Sequence, residues 1–122
     1  MTIEGLQEPV TAHLRHLESL WDGPLHAAYE HYTSVADAAL AMAAALVETA
    51  IVLHELGCGA ATPKRLLLGD LCLARASRLA SRHAPNEVRI GLARAIEAAA
   101  GTAAAGRGTP DVRARLTQVV SS

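Results

Sequence analysis

The densest chemistry in this chain lies in His54-Glu55-Leu56-Gly57-Cys58. His54 and Cys58 are four positions apart, a spacing that sets two side chains on one helical face. Imidazole and thiolate together make a common zinc pair. A third and a fourth ligand are not visible nearby, and Gly57 is expected to stop the helix before Cys58. The same residues also read as a partly buried histidine beside a small apolar cysteine. A small metal enzyme built on His54, Glu55 and Cys58 is the boldest reading of the stretch.

Two other clusters invite chemistry. His13, His16, His26 and His31 crowd the first part of the chain. They form either a pH-sensitive patch or a solvated helix face. Arg75, Arg78 and Arg82 recur at three-four spacing, with Arg89 and Arg94 further on. Guanidinium groups in such an array could hold phosphate, or pair with Asp70, Glu87 and Glu97. No serine or cysteine nucleophile has a visible base, no glycine loop is placed to cradle phosphate, and paired carboxylates are missing. Taken residue by residue, this is a helical interaction module without a complete catalytic set.

The elements that must position these groups follow from composition. Of the 122 residues, 51% are apolar, yet there is no Phe, and Trp21, Tyr29 and Tyr32 are the only aromatics. The apolar content is mostly Ala and Leu, strong helix formers, which predicts an all-α bundle of about five or six antiparallel helices. So few aromatics disfavour a nucleic-acid binder that stacks bases. A net charge of −1 gives no large field for steering toward DNA or anionic lipid. Two cysteines are no disulfide framework. No leader pattern opens the chain, and the longest apolar stretch, Ala38 to His54, is broken by Glu48, so no transmembrane segment is expected. The expected setting is cytoplasmic, with reduced thiols.

The chain reads as one domain over 1–122, with short helices in 1–33, the main helices in 34–104, and a Gly-rich linker and short last helix in 105–122. Pro9 opens a helix to Trp21, and Pro24 opens another to Tyr32. Ser34 and Asp37 resemble a capping arrangement for a helix over 35–56. Thr62-Pro63 supplies a cap and first residue for 63–83, Asn86 a cap for 87–100, and Thr109-Pro110 the start of the last helix. The Gly-rich stretch 101–109 reads as mobile. The helix over 63–83 is unusual. Its first half, "KRLLLGDLCL", is apolar nearly all round, whereas a surface helix shows one apolar stripe.

Three stretches together resemble the trans-polyprenyl diphosphate synthase family. "LLLGDLCLARASRLAS" is similar to the helix in which an apolar run leads into Gly-Asp and then Ala-Arg-Ala. "ALAMAAALVETAIVLHEL" resembles the helix that carries an alanine-rich run into a His and the first aspartate-rich motif. "PNEVRIGLARAIEAAAGTAAAGRG" resembles the helix that follows. The likeness spans residues 35 to 108.

The departures from the family are specific. After His54 the aspartate-rich motif reads Glu55-Leu56-Gly57-Cys58-Gly59, so His54 and Glu55 are what remains of a magnesium site. Magnesium needs carboxylates together with substrate phosphates and water. The arginine-bearing loop after the motif is shortened, and neither the second aspartate-rich motif nor the Gly-Lys-Arg clamp is seen. Without these groups the charge of a departing diphosphate has no stabilisation.

The resemblance therefore implies the short, non-catalytic subunit of a heterodimeric medium- or long-chain synthase. Such a subunit is needed for activity of a large catalytic partner and helps set product length. It also implies that this chain binds no cofactor alone, and that Mg2+ belongs to the partner. The partner interface would take Leu67, Leu68, Gly69, Leu71, Ala74, Arg75 and Arg78. The prenyl diphosphate product's tail would run along Ala38, Met42, Ala45, Leu46 and Thr49. Gly69 would let the partner's backbone come close. The competing expectation is a homodimeric helical binding or regulatory module, with no part in prenyl transfer.

Overall fold

Alanine-rich segments bounded by Asp, Pro and Gly fold here as the composition expects. The computed structural model describes residues 21–55, 63–104 and 112–121, and every regular element among them is helical. A kinked segment, Trp21–Leu25, is broken at Gly23, beside Pro24. It leads into α1 (His26–Thr33), α2 (Ala38–Glu55), α3 (Pro63–His83), α4 (Asn86–Ala104) and α5 (Val112–Ser121). The expected helix from Pro9, the end of α2 at Gly57, and Thr62 as the cap of α3 lie outside the described residues.

α2 begins at Ala38, later than expected, because Ser34 and Asp37 do different jobs. The Ser34 hydroxyl donates to the His31 carbonyl (2.6 Å) and closes α1. Val35 and Ala36 donate their backbone N–H groups to the Tyr32 carbonyl (3.1 and 3.0 Å), forming a turn. Asp37 is the cap of α2: its Oδ1 accepts from the Leu40 N–H at 2.9 Å, and so fills an orphan donor of the first turn. Asn86 is likewise not a cap. The carbonyl of Pro85 takes the first N–H groups of α4, from Val88 and Arg89 (3.0 and 3.1 Å). The Asn86 side chain accepts from the Arg89 guanidinium instead. α4 also runs through Gly101 to Ala104, past the expected end at Ala100.

The bundle is built around α2. α1, α3, α4 and α5 all pack on it, and α3 covers it most extensively. Seven consecutive residues, Ala41 to Val47, are at most 1% exposed. Small side chains permit this, since neighbouring helices approach closely wherever alanines face them. α3 contributes Cys72, Ala76, Leu79 and Ala80 to the core, α4 contributes Val88, Leu92, Ala95 and Ala99, and α5 contributes Leu116 and Val120. Each set keeps three-four spacing, one face of a helix. Among the described residues no helix is long and apolar enough to cross a membrane.

A polar seam crosses this apolar centre. Tyr32, fully buried, donates its hydroxyl to Glu48 Oε1 at 2.8 Å. Arg113 of α5 grips the same carboxylate with two nitrogens, Nε to Oε1 at 3.0 Å and a terminal nitrogen to Oε2 at 2.7 Å. Burial, then the bond to Glu48, pushes the Tyr32 hydroxyl's pKa far upward, so it stays a neutral donor. Beside it, His31 Nε2 lies 2.9 Å from the Thr117 hydroxyl, which itself donates to the Arg113 carbonyl. That hydroxyl has one proton, already given to a carbonyl, so His31 Nε2 is the donor. Tyr32, Glu48, Arg113, His31 and Thr117 thus fasten α1, α2 and α5 together.

Candidate partner interface

The outward face of α3 follows from its spacing. Gly69, Cys72, Ala76, Leu79 and Ala80 are buried against α2 and the core. Leu67, Ala74 and Ser81, seven apart, lie on the opposite side and are exposed, with Asp70 on one flank and Arg78 on the other. Leu67 is 69% exposed and Leu66 44%, although a leucine buried completely contributes about 1.5–3 kcal/mol. The nominated interface residues therefore divide. Leu67, Ala74 and Arg78 face outward, Leu68, Leu71 and Arg75 are half-buried, and Gly69 is buried. Leu68 and Leu71 pack against the chain's own core.

Gly69 has an intramolecular occupant. A Cβ at this position would run into the imidazole of His54, which lies over the helix there. His54 Nε2 is 3.2 Å from the Leu66 carbonyl and 3.3 Å from Asp70 Oδ1. The carbonyl is an acceptor, so this nitrogen carries the proton and donates it to Leu66, with the Asp70 carboxylate alongside. The end of α2 is thereby pinned to the second turn of α3 through His54. Among the described residues no three His, Cys, Asp or Glu side chains converge as metal ligands. Cys58 lies outside the described residues, and Glu55 ends α2.

The arginines do not find their expected carboxylates. Asp70 is engaged by His54. Among the described residues Arg75, Arg78, Arg82 and Arg94 make no ion pair with Asp70, Glu87 or Glu97. Arg75 Nε is closed off from solvent and meets no hydrogen-bond acceptor among the described residues. The histidines are not one patch either. His13 and His16 lie outside the described residues, His26 pairs with Glu30 at 3.0 Å, and His31 turns to Thr117.

The residues expected to line a channel sit in the packed centre. Met42, Ala45, Leu46 and Thr49 are at most 1% exposed, and the Thr49 hydroxyl donates to the Ala45 carbonyl at 2.8 Å within its own helix. Ala38, in the first turn, is half-buried. A tail on this face would have to part helices that touch. Open space is found elsewhere, in a groove of about 130 Å³ between α3 and α4. Leu73, Ala76 and Ala80 form one wall, Leu92 and Ile96 the other, and Val47 the floor.

The Tyr32–Glu48–Arg113 fastening was missed in the sequence. Its one signal is Glu48 itself, a carboxylate interrupting an apolar run, which requires a partner when the run is buried. Compared with protein-family models, with curated proteins and with solved structures, the chain matches none.

Proposed function

We propose that this chain is the non-catalytic small subunit of a heterodimeric medium- or long-chain trans-polyprenyl diphosphate synthase. It completes a large catalytic subunit through α3 and helps set product length. The observation that carries the reading is the outward face of α3. Leu66 and Leu67 are left in solvent on the helix that bears Gly69-Asp70 and Ala74-Arg75-Ala76, the residues of the family likeness. Two adjacent leucines in water give a partner apolar surface to cover. A second support is that the likeness is spatially coherent: His54, before the degenerate motif, packs on Gly69-Asp70. In this reading Mg2+ and the diphosphates belong to the large subunit, because Glu55 is the one carboxylate left in the motif after His54.

The test is turnover of isoprenoid diphosphates by a large synthase subunit with and without this chain. Strong activity is expected only from the mixture. Equal activity of the large subunit alone would overturn the reading.

One observation favours a homodimeric module instead. Leu67 and Ser81, and likewise Asp70 and Arg78, are placed symmetrically about Ala74. An antiparallel second copy crossing at Ala74 would set Leu67 opposite Ser81 twice, near the centre line of the face. Light scattering of the isolated chain separates the two readings, since a stable dimer belongs to the second.

A further inference from the structure

We infer that the surface covering α3 is an acidic amphipathic helix of a partner protein, resting here on the reading of α3 as a partner interface. Arg75, Arg78 and Arg82 recur at three-four spacing and so share one flank of the outward face. Arg78 and Arg82 are exposed, Arg75 is half-buried, and none makes an ion pair among the described residues. The one carboxylate on the face, Asp70, lies on the other flank and already serves His54.

The centre of the face fixes the class of partner. Leu66 and Leu67 offer apolar area at one end, while Ala74 and Ser81 leave room for another helix to lie close. A helix with an apolar seam and carboxylates at three-four spacing on one flank would cover the leucines and meet the guanidiniums, whose planar forks suit carboxylates. A polyphosphate backbone fits worse, because Asp70 and the leucines would face it.

The test uses the full chain and two synthetic helical peptides. Both carry a leucine–alanine seam, one with glutamates along a flank and the other with lysines in their place. Fluorescence anisotropy should show the glutamate peptide binding roughly tenfold more tightly, with the difference shrinking as salt rises. Arg78→Glu with Arg82→Glu, both at exposed positions, should reverse the preference. Arg75→Glu with Arg78→Glu should do the same. Equal binding of the peptides, a preference that survives both reversals, or displacement of the glutamate peptide by a short DNA duplex at matching concentration would each overturn the inference. If the glutamate peptide binds and a large synthase subunit does not, the proposed function falls and this inference stands. If that subunit binds but is indifferent to the charge reversals, the inference alone falls.

Discussion

α2 and the first half of α3 look alike in sequence, since both are apolar nearly all round, but the fold treats them oppositely. Ala41 to Val47 of α2 are enclosed on every side, whereas Leu66 and Leu67 of α3 stand in solvent. The difference is one of side-chain size and place. Alanines let four neighbours close around one helix, and among the described residues this happens once. α3 is an outer helix, so among the described residues no other helix covers the leucines beyond its inner face. An all-round apolar pattern therefore has two meanings: a hub, or a seam awaiting another molecule.

The sharpest way to break the comparison is to place a carboxylate in each helix. Ala44→Glu, at a fully enclosed position, should cost roughly 4 kcal/mol or more and abolish cooperative thermal unfolding followed by circular dichroism. Leu67→Asp should change the stability of the isolated chain by no more than about 0.5 kcal/mol. On the proposed function it should still abolish binding to a large synthase subunit. Leu71→Asp should do both, because Leu71 packs on the core while bordering the exposed face. A strongly destabilised Leu67→Asp chain would show that the two helices are alike after all.

α3 also has a side that behaves like α2. Burial pushes the Cys72 thiol up to about 11 from its ordinary 9.0. The folded chain holds the proton longer than the unfolded one, so the contribution is complete below pH 9 and is lost as pH rises toward 11. The loss amounts to about 2–3 kcal/mol by the upper limit. Tyr29 and Tyr32, both raised by burial, add decline of the same sign at higher pH. Melting temperatures across this alkaline range should fall more steeply for the native chain than for Cys72→Ala.

Within α2, Glu48→Ala strands the Tyr32 hydroxyl and should cost about 2 kcal/mol in urea unfolding, while Tyr32→Phe should cost about 1 kcal/mol. Similar costs for the two would mean that Glu48 acts mainly through Tyr32 and that its pairing with Arg113 adds little. The smallest effect is at the joint between the helices. Gly69→Ala gains up to about 1 kcal/mol of helix propensity but must turn the His54 ring aside, so it should be nearly neutral. With His54→Ala in the background it should stabilise, and a double-mutant cycle measures the coupling.

Sequence patterns were most legible where one residue decides. Pro63 and the polar end at His83 bounded α3 as found. At Ser34 and Asp37, two side chains competed for one cap, and only the backbone path shows which one fills it. The need for a small residue at Gly69 was readable, but its occupant, His54, was not, because the approach comes from another helix. The Arg113–Glu48 contact bridges 65 positions, and no periodicity encodes so distant a pairing. The arginines of α3 were assigned nearby acids by proximity in sequence, while the fold had already given Asp70 to His54.

A centre made of alanine has a consequence for how this protein can change. Ala41, Ala43, Ala44, Ala45 and Ala50 have almost nothing to trim, so nearly every substitution adds volume to a space already filled. Saturation mutagenesis should find these alanines intolerant toward larger side chains, whereas Met42 and Leu46 beside them should resist trimming. Drift would then be confined to the outer helices, and any exposed position on α3 that proved equally intolerant would trace the outline of the molecule that covers it.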